Sequence, residues 1–293
     1  MSRRPQEQAK ARSLCVASTL HQRMLHQQGT WWMLGTSTMS HLAYVIGRER
    51  VALWAPTKEV HFERPRWAWR EKGRNERNAR TVSCLADPNA ERRLCYVPVH
   101  ANPAGKPDND WAVTSIPAAI SLLRPQMSSS DVIIVQIGPH FMGHGVRAEA
   151  DYVQLTRDVA KDYARDRLNL TSRLIWLQEF AQHFPTANGT FSAVSGSSCR
   201  RKCTCVPLRN GTVKPQFIDD AAAHLRSAGI PVLDTWTLTR TDSDNHPNSA
   251  YRSKSIDCTH YCLFAGVYTR VLQLIECYLG GDRSPAVREL VGL

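Results

Sequence analysis

The chain has 293 residues, 42% hydrophobic and 22% charged, which excludes collagen, coiled coil and wholesale disorder and suits one large α/β domain or two small ones. A formal net charge of +11 and a pI near 9.4 admit nucleic acid and acidic polymers as partners. No window approaches the ~18 apolar residues of a membrane span and residues 1–30 lack the apolar core of a signal peptide, so a membrane anchor and an export signal are both absent from this chain as read.

Residues 1–30 read as an N-terminal segment. The run at 31–35 (WWMLG) has the continuous apolar character of a buried strand, and Gly35-Thr36-Ser37-Thr38-Met39-Ser40 then opens a helix-like stretch. A weaker strand candidate sits at 51–54. From about 56 to 105 the chain is rich in Trp, Arg and Pro without a clear period and reads as an irregular insertion. Within it, 64–80 interleaves Trp67 and Trp69 with arginines, a pattern able to stack on and pair with nucleic acid. Such charge runs are usually solvated faces, and no nucleic-acid partner is expected.

Further strands are expected at 93–99, 131–138, 172–177 and 230–234. Helices are expected at 147–168, with Ala150, Val153, Val159, Ala160 and Tyr163 near one face, at 214–228, capped by Gly229, and at about 261–279, ending in Gly280-Gly281. Strands alternating with helices predict one domain over 31–293, an α/β three-layer αβα sandwich with a mainly parallel sheet.

Nine cysteines are many for a reduced cytosolic enzyme, and Cys199, Cys203, Cys205, Cys258 and Cys262 crowd the second half. Thiolate zinc ligation lacks the usual CxxC knuckle, so disulfides fit the spacing better. Three Asn-x-Thr sequons, at Asn169, Asn188 and Asn210, also favour a lumenal or secreted chain whose targeting segment is missing here. In that setting Cys258 is expected to pair with Cys199, Cys203 or Cys205.

In an open parallel sheet, functional groups gather where strands end and helices begin. A serine just after Gly35 would sit at a helix N-terminus, where unpaired N–H groups can receive an oxyanion. Ser37 is also an ordinary capping residue type. Near the other end, 255–262 (SIDCTHYC) places Asp257 three residues before His260, so that at a helix start the carboxylate can orient the imidazole toward a nucleophile. His140 and His144 have metal-ligand spacing, but Gly138, Pro139 and Gly143 argue against a regular helix there, and no metal site is assigned. His183 and His246 read as structural or substrate-lining. Trp67, Trp69 and Trp111 are the better candidates for stacking on a sugar.

Four blocks together carry a resemblance: WWMLGTSTMS, DVIIVQIGPHF, IWLQEFAQHFPTANGTF and DSDNHPNSAYRSKSIDCTHYCL. In this order they resemble the SGNH-like acyl-esterase family that contains the plant trichome-birefringence-like polysaccharide O-acetyltransferases, also called PC-esterases. DCTHYC is the most specific block. The resemblance implies an SGNH hydrolase-like fold and a Ser37–His260–Asp257 triad, with Gln136 and Gly138 near the oxyanion. It implies O-acetyl transfer or deacetylation on a polysaccharide or glycan, in the Golgi lumen or outside the cell. No cofactor is expected beyond an acyl donor. Thr36 and Ser40 stand where the family pattern has Asp and Arg, and Gln136 where it has Asn. The alternatives are therefore a catalytically degenerate glycan-binding protein of the same fold and, from another class, a basic nucleic-acid-binding protein.

Overall fold

A computed structural model describes residues 29–54, 83–86, 92–99, 115–170, 172–184, 186, 189–190, 205–209, 212–246, 258–262, 266–282 and 284–292. Six strands form one sheet: β1 (Gly29–Gly35), β2 (Ser83–Ala86), β3 (Arg92–Pro98), β4 (Val132–Gln136), β5 (Arg173–Leu177) and β6 (Val232–Leu233). Their spatial order is β2-β3-β1-β4-β5-β6. Five of them run parallel, and β2 closes one edge antiparallel to β3. The helices among the described residues are α1 (Ser37–Trp54), α2 (Ile116–Leu123), α3 (Val146–Ala164), α4 (Gln216–Ser227), α5 (Thr235–Thr239), α6 (Val267–Leu279) and α7 (Pro285–Val291). None is long and apolar enough to cross a membrane.

The strands are apolar throughout because helices cover both faces. Trp32, Leu34, Ile133, Val135 and Trp176 face one core with α2, α3 and α4. Met33, Ile134, Ile175 and Leu177 face the other with α1, α6 and α7. This is the expected α/β arrangement with a mainly parallel sheet. Asp131, at the start of β4, ties the first strands together: its carboxylate accepts from Thr30 N at 2.8 Å and from Trp32 Nε1 at 2.8 Å.

Several expectations are corrected. Residues 51–54 form the last turn of α1 and not a strand, because the helix begun at Ser37 continues to Trp54. The insertion is more regular than composition suggested, since β2 pairs with β3 inside it and Cys84 is bonded to Cys95 directly opposite. The buried face of α3 runs through Ala148, Tyr152, Thr156, Val159 and Ala160, leaving Ala150 exposed, because Tyr152 turns inward to a buried acid. The last long helix begins at Val267, after Gly266 in the left-handed region at φ 79°. Residues 258–262 are an irregular loop that bends at 259–260, and not the start of a helix.

Candidate functional site

The sheet order reverses at β1, whose neighbours β3 and β4 lie on opposite sides. In open α/β sheets the crevice at the carboxyl ends of such strands is the usual binding place. Ser37, the first residue of α1, stands there. Gly35 makes the sharp exit possible: a Cβ would lie 2.0 Å from the Gln136 carbonyl oxygen and 2.8 Å from Met39 Cβ. Only glycine lets β1 end this close to β4.

From the far end of the chain, His260 reaches the same spot. Ser37 Oγ and His260 Nε2 lie within hydrogen-bond distance, at 2.6 Å, across 223 positions of sequence. This is the separation a general base needs to take the serine proton. Asp257 lies outside the described residues. His41, one turn along α1 from Ser37, sets its ring 5.0 Å from that of His260 and meets the Tyr268 hydroxyl through Nδ1 at 3.3 Å.

The loop carrying His260 is pinned on every side. His183 N donates to Cys258 O at 3.2 Å and Cys262 N to Asn245 O at 2.7 Å. His246 Nδ1 meets the His260 carbonyl at 2.6 Å. Cys258 is disulfide-bonded to Cys205, one of the three partners the spacing left open. Beneath it, Tyr261 is buried and donates its hydroxyl to the Ala181 carbonyl at 2.5 Å.

Neutral groups brace the serine turn. The Tyr96 hydroxyl, on β3, lies 3.1 Å from both the Gly35 and the Thr36 carbonyl oxygens, and burial pushes its phenol pKa upward. Thr38 donates to Gln136 Oε1 at 2.8 Å. The roles of Tyr96 and Thr38 were missed in the sequence: Tyr96 lies in no motif, and Thr38, although within the Gly35–Ser40 segment, acts through Gln136 of a neighbouring strand.

The two residues expected near an oxyanion are engaged elsewhere. Gln136 is fully buried and donates through Nε2 to the Gln178 carbonyl at 3.1 Å, so its amide links the serine turn to the end of β5. The Gly138 N–H is taken by Glu179 Oε1 at 2.7 Å, and a Cβ on Gly138 would overlap the Glu179 carboxyl at 2.2 Å. Glu179 also accepts from the Tyr152 hydroxyl at 3.0 Å. Burial pushes its pKa to about 8, against the opposing pull of these hydrogen bonds. The first turn of α1 also lies at this edge, where helix geometry leaves N–H donors unpaired.

Beside the His183 segment opens a pocket of about 300 Å³ whose walls include Phe184, Val206, Leu208 and Arg209. Val206 N donates to the His183 carbonyl at 2.9 Å, so the pocket and the His260 loop share a backbone layer. Trp67, Trp69, Trp111 and the basic stretch at 64–80 lie outside the described residues, as does the side chain of His140. No protein-family model matches the chain, and no curated protein matches it significantly.

Proposed function

We propose that the chain is a serine-dependent acyl-ester enzyme of SGNH, PC-esterase-like type, acting on O-acyl groups of a polysaccharide or glycan. The observation that carries this reading is the 2.6 Å contact of Ser37 Oγ with His260 Nε2 at the carboxyl edge where the sheet order reverses. His260 removes the Ser37 proton as the oxygen attacks the acyl carbonyl, and the tetrahedral oxyanion is received by the first-turn N–H groups of α1. The intermediate collapses to an acyl-enzyme as His260 returns the proton to the departing oxygen. Water or a sugar hydroxyl then takes the acyl group by the reverse path. Asp257 is assigned the orienting carboxylate on the resemblance alone. The pocket beside His183, with its aromatic ring and arginine, would seat part of the glycan.

Two disulfides between described residues, Cys84–Cys95 and Cys205–Cys258, fit folding in an oxidising compartment, and the Golgi lumen or the cell exterior is the proposed location. The test is acetyl release or transfer from an O-acetylated oligosaccharide by the folded protein. Loss of the activity in Ser37→Ala with oligosaccharide binding retained is expected. A second reading, glycan binding without turnover, draws on the uncharged serine turn and the engaged Gly138 N–H. Binding by the wild-type chain with no acetyl release or transfer would favour it.

A further inference from the structure

Behind the His260 loop lies a second, fully interior histidine pair. His183 is 0% and His246 3% exposed. Their inner nitrogens, His183 Nδ1 and His246 Nε2, are 2.7 Å apart. Their outer nitrogens both face carbonyl oxygens, His183 Nε2 that of Arg240 at 3.0 Å and His246 Nδ1 that of His260 at 2.6 Å.

A carbonyl can only accept, so each outer nitrogen carries a hydrogen. A neutral imidazole has a single N–H. Two neutral rings would therefore set two bare lone pairs against each other at 2.7 Å, which is repulsive. One added proton on the inner line turns that repulsion into a charge-assisted hydrogen bond and satisfies all four ring nitrogens. The Tyr261 hydroxyl, 3.4 Å from His183 Nδ1, does not replace that proton, because its hydrogen is directed to Ala181 O at 2.5 Å.

We infer that His246 is an imidazolium at neutral pH and acts as a positioning residue for His260, clamping the base's own carbonyl with a charged donor. The proton belongs on His246 for two reasons. Its ring stacks on Tyr261 at 4.2 Å between centroids and 29° between planes, where a cation is attracted by the aromatic face. His183 meets Tyr261 only edge-on, at 83° between planes, without that attraction, and burial drives its ring toward the neutral form, only partly offset by the Arg240 carbonyl and by Asp242 and Asp244. Among the described residues, the charged and titratable groups around the pair include Asp242 and Asp244 on the turn before His246, Arg270 of α6, which pairs with Asp242, and His260 and Tyr261 on the closing loop. Removing the shared proton forces one of the three hydrogen bonds to break, and the one to His260 is directly tied to the site.

The positioning role rests on the acyl-transfer reading above, whereas the charge on His246 does not. The decisive experiment is imidazole ¹⁵N NMR of the ¹⁵N-histidine-labelled full chain at about pH 7.5, a unit above the ordinary histidine value. His183→Gln and His246→Gln assign the signals. The expected result is one doubly protonated ring hydrogen-bonded to one neutral Nε2–H ring; two neutral rings in the wild-type protein would overturn the inference. The second readout is the pH profile of acyl-ester turnover. Wild type should lose rate as pH rises through the pair's deprotonation. Folded His246→Gln should lack that alkaline limb and be slower by about ten- to a hundredfold at neutral pH, mainly in kcat. An unchanged rate and profile in that variant would overturn the positioning role. An imidazolium in a protein with no turnover at any pH would uphold the charge and overturn the positioning of a reacting base, which separates this inference from the proposed activity.

Discussion

Ser37 and His260 form one chemical unit only if neither works without the other. Ser37→Ala and His260→Ala should each remove nearly all turnover, and the double variant should be little worse than either. Additive losses in steady-state kinetics would mean that the two side chains touch without sharing a step. Glu179 makes a separate prediction. Its folded pKa of about 8 lies above the usual 4.5, so the folded chain holds this proton more tightly than the unfolded one. Its contribution to stability is therefore full below about pH 4.5 and declines as pH rises toward 8. Glu179→Gln keeps an acceptor for Gly138 and Tyr152 but cannot ionise. Its urea midpoint relative to wild type should shift upward between about pH 5 and about pH 9. Parallel pH dependence of the two proteins would contradict a buried, neutral Glu179.

At the scale of elements, the loop at 258–262 differs most from its sequence-based expectation. The apolar period from Tyr261 onward suggested one continuous helix, but Gly266 in the left-handed region starts α6 late, and the preceding residues are drawn off by contacts that no local pattern encodes. His183 N, His246 Nδ1 and Asn245 O all come from other segments. The Cys205–Cys258 bond closes a separation of 53 residues, worth about 4 kcal/mol in loop entropy. The Cys84–Cys95 bond closes only 11, worth about 3 kcal/mol by the same relation. Replacing either pair with serine should lower the denaturation midpoint measurably. Loss of Cys205–Cys258 should also lower kcat, because Cys258 lies two residues from His260 in an irregular loop, while loss of Cys84–Cys95 should lower kcat less, because Tyr96 beside Cys95 stays held in the β3–β1 ladder. Equal kinetic effects would remove the loop's special role.

For the whole molecule, the buried parallel strands were legible because a strand covered on both faces must be apolar along its length. WWML, VIIV and LIWL could hardly be anything else. The antiparallel edge strand β2 was not legible, since four residues opposite β3 carry no period of their own. The meeting of Ser37 and His260 was legible from chain order: a serine after the first strand and a histidine before the last long helix reach the same sheet edge. The braces from Tyr96, Thr38, Gln136 and Glu179 were hidden, because each depends on which strands lie side by side. The central claim is that Ser37 is a serine activated by His260, and active-site phosphonylation tests it most directly. The folded chain is treated with a fluorophosphonate and the adduct located by peptide mass spectrometry. The account predicts a single adduct on Ser37, absent in Ser37→Ala and formed at least about a hundredfold more slowly in His260→Ala. A folded wild-type chain without that adduct, or an equal rate in His260→Ala, would contradict it.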